Sequence, residues 1–219
     1  MRSSAASDVY KRQIIKVVAL SGGSMLQYSG WHGTTNKRKN KILSAGFSYK
    51  KYEPGISKQR HPNDLGNGVY FFLPFNNDTG KTIASAYVAK YKSFELSKPG
   101  VTPGLVNAEI TIKSIDNIFI LDDPTNQSLL DEYRQKAYIE IEREIAGISD
   151  SGAKNRATLL NQNQGLIIEL LLDLASQYGK NFKAVQSKTY TDISFLPVIN
   201  GKNGEEICIR DLNCITNIL

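Results

Sequence analysis

The sequence predicts a mixed α+β domain. Strand-like runs come early and late, and helical spacing dominates between them. The strands and helices do not alternate as they would in a regularly wound parallel sheet. At 219 residues and 41% hydrophobic, the chain can bury one substantial core. A single domain is therefore the expectation.

Each element follows from its pattern. Ile14 to Leu20 is a β-branched run, read as a strand and broken by Ser21-Gly22-Gly23-Ser24. Leu26 to His32 reads as the next strand. Thr34-Thr35-Asn36 offers N-cap residues for a helix through Lys41-Ile42-Leu43 that ends near Gly46. Phe47 to Leu65 is a long polar loop, long enough to suggest a functional surface. Gly68 to Leu73 is a strand, and Thr82 to Tyr91 has helical spacing.

Val106 to Ile112 alternates as a strand does. Ile118 to Leu121 is another, stopping at Asp122-Asp123-Pro124. Ser128 to Ile145 is read as a long amphipathic helix, with Leu129, Leu130, Tyr133, Ala137, Tyr138 and Ile141 on one stripe. A polar break covers Gly147 to Asn155. Leu159 to Tyr178 holds a second helix, with Gly165 in its middle or at its start. Phe182 to Gln186 and Ile207 to Arg210 are short strands.

Composition excludes several classes. The longest apolar run, Leu166 to Leu174, is interrupted by Glu169 and Asp173 and is too short to span a bilayer, so no membrane association is expected. Two cysteines and two histidines without a Cys-x-x-Cys give neither a disulfide framework nor a zinc site. A reducing setting, cytoplasmic or nuclear, is the expectation. Residues 1–13 contain Asp8-Val9-Tyr10-Lys11-Arg12-Gln13, which looks like translated sequencing adapter, and are set apart from a domain over 14–219. Arg2, Lys11 and Arg12 against Asp8 give that stretch +2, leaving +4 of the formal +6 for the rest. A mild, scattered positive charge suits an anionic cofactor and does not require nucleic acid.

Three segments carry the chemistry: Trp31-His32-Gly33-Thr34, then Leu65-Gly66-Asn67-Gly68-Val69-Tyr70-Phe71, then Glu206-Ile207-Cys208-Ile209-Arg210-Asp211. A glycine beside His32 lets backbone approach a ligand closely. Tyr70 follows a Gly-x-Gly turn whose glycines tolerate positive φ. Glu206 opens a strand, and alternation puts it with Cys208, opposite Ile207 and Ile209. Taken singly, each has a plainer reading: a strand-end histidine, a Tyr-Phe core pair, a solvated Glu205-Glu206 pair in a hairpin. Arg60 and His61 read as a solvated loop, and Lys37-Arg38-Lys39 as a solvent-facing helix start.

In order and spacing, the three segments resemble the His-Tyr-Glu signature of poly(ADP-ribose) polymerase-like ADP-ribosyltransferases, over about residues 27–218. The resemblance implies a split β-sheet core with flanking helices and an NAD cleft between two small sheets. It implies NAD as substrate, with no metal. By the same resemblance, His32 bonds a ribose hydroxyl and the Gly33 backbone bonds the nicotinamide amide. Thr34, Gly68 and Phe71 belong to the cofactor-binding set. Tyr70 and Tyr87 sandwich the nicotinamide, and His32, Tyr70 and Glu206 form the catalytic set. Ser85 stands one residue after the family's usual serine position, which Ala84 holds. Glu206 lies five residues before Asp211, as in the family, whereas Glu205 does not.

The implied reaction transfers ADP-ribose from NAD to an acceptor, protein or nucleic acid, with release of nicotinamide. Two other readings remain open from sequence: an NAD glycohydrolase, and a non-catalytic NAD or ADP-ribose binding module. A toxin-type transferase wants Glu-x-Glu, and an RNA 2′-phosphotransferase wants a second histidine where Tyr70 stands.

Overall fold

The computed structural model describes residues 24–53, 62–76, 78–136, 139, 163–191 and 201–219. The strand expected at Ile14 to Leu20, residues 1–13, Arg60, His61 and the break at Gly147 to Asn155 lie outside the described residues. The described chain is α+β, as expected. Its strands are β1 (Leu26–Thr35), β2 (Val69–Leu73), β3 (Pro103–Ile112), β4 (Ile118–Ile120), β5 (Ala184–Thr189), β6 (Gly204–Ile209) and β7 (Ile215–Ile218). Its helices are α1 (Asn36–Ala45), α2 (Lys81–Tyr91), α3 (Ser93–Leu96), α4 (Pro124–Lys136) and α5 (Gln164–Gln177).

The strands form one sheet in the order β4-β5-β6-β2-β1-β3-β7. Among the described residues only β4 and β5 pair in parallel. The described strands thus form one sheet where the resemblance implies two small ones. β1 and β2 keep register at one pair, Trp31 opposite Phe72, whereas β1 and β3 match along their full length. Around that junction Val69, Phe71, Leu73, Ile207 and Ile209 share a core with Ala108, Ile110 and Ile112 of β3.

Strand alternation sorts the other half. Phe71 faces Ile207 across the ladder, whereas Tyr70 faces Cys208 and Phe72 faces Glu206. One face of β2 and β6 thus carries Phe71 into the sheet's core. The opposite face carries Tyr70, Phe72 and Glu206. Toward α4 and α5 that face packs Tyr70, Val185 and Cys208 against Leu129, Leu130, Leu166, Ile167 and Leu171.

Several boundaries differ from the sequence reading. α4 starts at Pro124, not Ser128. The Asp123 carboxylate accepts from the Thr125 and Asn126 amides at 2.9 and 3.0 Å, and Pro124 needs no donor there. Gly165 marks the start of α5, where a Cβ would collide with the Asn63 carbonyl. β7 and α3 were not expected. The loop after α1 is less polar in its packing than in its composition, because Tyr52 is buried in the core and the Tyr49 hydroxyl donates to the Arg210 carbonyl at 2.5 Å.

Candidate functional site

Beside the β1–β2 junction lies a cleft of about 640 Å³. Its walls include His32, Gly33 and Thr34 from β1, Arg38 and Lys41 from α1, Tyr70 from β2, Tyr87 and Tyr91 from α2, and Glu206 from β6. Segments that are far apart in the chain therefore meet in one place. Gly68 and Val69 also line it.

His32 is held by its ring. Its Nδ1 lies 2.9 Å from the Tyr70 carbonyl. A carbonyl only accepts, so Nδ1 carries the proton and Nε2 is left as an acceptor. Burial holds the imidazole below its usual basicity, more than the Tyr70 bond raises it, with Lys92 and Arg38 adding to the lowering. Phe47 and Phe71 meet the ring edge-on at 5.4 and 6.0 Å between centroids. The result is a neutral, oriented histidine.

Tyr70 is fixed at its hydroxyl. It donates to the Gly66 carbonyl at 2.7 Å and accepts from the Leu65 amide at 3.0 Å. Burial, with the neighbouring Cys208, raises its pKa far above the ordinary phenol value, so the phenol stays neutral. Tyr87 also lines the cleft and packs tilted against Phe72 and Tyr91 at 5.7 and 5.0 Å.

Glu206 accepts from the Thr189 hydroxyl at 2.8 Å. Burial pushes its carboxyl up to about 7; the Thr189 bond opposes this and the Asp64 charge adds to it. Glu205 turns to the other face, where Gln186 donates to it at 2.7 Å. Beyond β5 the Asn203 side chain bonds both backbone groups of Thr191, at 2.7 and 2.6 Å. That clamp fixes the base of the β5–β6 hairpin and with it the Thr189–Glu206 pair.

Several site residues from the sequence stand elsewhere or act differently. Phe71 does not line the cleft: alternation buries it in the sheet's core. Ser85 is exposed on α2 and outside the cleft, and the residue in the usual position, Ala84, packs on Gly33. Gly33 is required by that packing, since a Cβ would sit 2.5 Å from the Ala84 carbonyl and 2.8 Å from Val88. Gly66 has φ of +88°, as a turn glycine should. Gly68 does not; a Cβ there would strike the Ile209 carbonyl of β6. Asp211 pairs with Lys183 at 2.8 Å, and this pairing holds its carboxyl below the usual range.

Lys37 and Arg38 face solvent, as expected, and Lys39 is half-buried. Arg38 also lines the cleft and pairs with Glu95 at 3.1 Å. Lys92 lines the cleft too and approaches the same carboxylate at 3.7 Å. Two cations thus share one anion beside His32. Thr189, Asp64 and Lys92 were missed by the sequence reading. Alternation across the β5–β6 hairpin could have pointed to Thr189; the other two depend on tertiary placement.

No family model matches this chain, and a search of the curated proteins finds no significant match. Among the described residues no group of His, Cys, Asp and Glu could hold a metal, and no helix is long and apolar enough to cross a membrane.

Proposed function

We propose that the cleft binds NAD and that the protein transfers its ADP-ribosyl group to an acceptor, releasing nicotinamide. One observation carries the reading. His32, Tyr70, Tyr87 and Glu206, matched to the signature in sequence, line one cleft, while Glu205 faces away from it. The split β-sheet core of the ADP-ribosyltransferases belongs to the same proposal, and the narrow β1–β2 junction supports it.

The chemistry follows from the side chains. The nicotinamide ring lies between Tyr70 and Tyr87, with the modest energy of offset aromatic pairs. His32 accepts a ribose hydroxyl through Nε2. Arg38, Lys41 and Lys92 supply positive charge for the two phosphates. The bond between the ribose C1′ and the nicotinamide nitrogen breaks, and its electron pair leaves with nicotinamide. Positive charge then builds on the ribose, as in glycoside cleavage. Ionised Glu206 stabilises that charge and holds the 2′-hydroxyl. The acceptor's nucleophile bonds to C1′ and gives up its proton to solvent.

Two results are expected. His32→Ala removes hydrogen bonds that no neighbour replaces, so NAD affinity falls by several-fold or more, on the scale of ~1 kcal/mol per lost bond. Calorimetric titration of the variant, shown folded by circular dichroism, checks this; unchanged affinity would sink the pocket assignment. The second concerns pH. Glu206 must be ionised to act, and its carboxyl titrates near pH 7. The value of kcat/KM for nicotinamide release should rise with pH through about 7 and then level off. A flat profile between pH 5 and 9 would remove Glu206 from that role.

A further inference from the structure

We propose that Glu169 is a positioning residue that holds the Gly66-Asn67-Gly68 turn and thereby the Tyr70 ring in the cleft. The buried face of α5 is largely apolar, with Leu166, Ile167, Ile168, Leu171 and Leu172 buried. Glu169 sits among them, 4% exposed. Its carboxylate accepts the Asn67 amide at 2.6 Å. It also pairs with both terminal nitrogens of Arg210, the second at 3.0 Å. Arg210 follows β6, and Val69 pairs with Ile209 at the last rung of the β2–β6 ladder. One carboxylate therefore closes the end of the ladder, holding the start of the Tyr70 strand and the end of the Glu206 strand.

The helix is docked there on purpose-fitted residues. Gly165 and Glu169 are four apart and share a face. A side chain at Gly165 would strike the Asn63 carbonyl, and one at Gly66 would strike the Glu169 carboxylate. The turn between them has no slack. Its Leu65 amide and Gly66 carbonyl bind the Tyr70 hydroxyl, and its Gly66 amide bonds the Asn63 carbonyl at 2.7 Å. A buried ion pair is a weak source of stability, since apolar residues of similar size often replace it without loss. What this one supplies is geometry: the carboxylate fixes Asn67, and the turn fixes the phenol. The link to ligand placement rests on the proposed NAD cleft.

The test compares two double variants, chosen so that no charge is stranded. Glu169→Leu with Arg210→Met removes the acceptor for Asn67. Glu169→Gln with Arg210→Met keeps it. Amide exchange on the ligand-free protein is read at Leu65 and Gly66, with Leu121 as a reference bonded elsewhere to Gln186. In the leucine variant Leu65 and Gly66 should exchange about tenfold faster relative to Leu121. The glutamine variant should restore most of that protection. NAD affinity should follow, about tenfold weaker in the first and within about threefold of wild type in the second. Equal exchange at Leu65 in both variants overturns the positioning role, whether or not NAD binds. Faster exchange with unchanged NAD affinity overturns the link to the cleft. Wild-type protein that binds no NAD defeats the function proposed for the cleft, while the exchange comparison still decides whether Glu169 holds the turn.

Discussion

Glu206→Gln is expected to release nicotinamide roughly 100-fold more slowly than wild type, or worse, while binding NAD almost as tightly. Gln keeps the size and can still accept the Thr189 hydroxyl. What it lacks is negative charge, and charge matters most when the ribose becomes cationic. An interaction that strengthens only in the transition state governs turnover and not affinity. Loss of one electrostatic stabiliser commonly costs about 100-fold or more. Glu205→Gln should be nearly silent, because its partner Gln186 lies on the face away from the cleft. Single-turnover rates with saturating NAD, beside calorimetric affinities, separate the two effects. Loss of activity in the Glu205 variant alone would move the register by one residue.

The same variant should gain stability at high pH. The folded chain holds the Glu206 carboxyl near 7 against an ordinary 4.5. Between those values the folded state binds a proton that the unfolded state has released. Wild-type stability therefore falls as pH rises from about 4.5 to 7, and the deficit stays constant above that. Its ceiling is about 3 kcal/mol. Gln does not titrate, so the variant should melt several degrees higher than wild type at pH 8 and close to it at pH 4.5. Matching melting curves at both pH values would show that the carboxylate is not held against its preference.

Gly33→Ala should damage fold and site together. The new methyl group would meet the Ala84 carbonyl and Val88, and the carbonyl belongs to helix backbone that cannot rotate aside. Forcing α2 off β1 costs about 1–3 kcal/mol, which lowers Tm by roughly 2–12 °C for a domain of this size. α2 also carries Tyr87, so NAD affinity should fall by about tenfold or more through displacement of that ring. Thermal melts and titration on the same preparation check both. A wild-type Tm would show that the helix yields easily at this point.

The parts of the site legible in the sequence are those set by alternation. The resemblance chose Glu206 over Glu205 by its spacing to Asp211, and period-two patterning turned Glu205 to the opposite face. The same rule, applied one residue further, would have removed Phe71, which pairs with Ile207 in the core. Glycines were found for partly wrong reasons. Gly33 and Gly68 are small because helix and strand backbone crowd them, and a single sequence does not show which neighbour will arrive. Asp123-Pro124 was a readable helix start, and the apolar stripe from Leu129 drew attention past it. Glu169 interrupts an apolar run, so it was visible as an anomaly; its meaning required Asn67 and Arg210, which come to it from the turn before β2 and the end of β6. Arg38 is a solvated helix charge as read, and its pairing with Glu95 at the cleft mouth depended on tertiary placement.

Incubation with NAD labelled in its adenylate half tests the central claim most directly. Protein-bound label, free ADP-ribose and intact NAD are separated after incubation of wild type and of Glu206→Gln. The account predicts label on wild-type protein or on an added acceptor, with nicotinamide released in step, and almost none with the variant. Free ADP-ribose without bound label would make the protein a glycohydrolase built on the same residues. Intact NAD in both reactions, from protein shown to bind it, would contradict the account and leave a binding module.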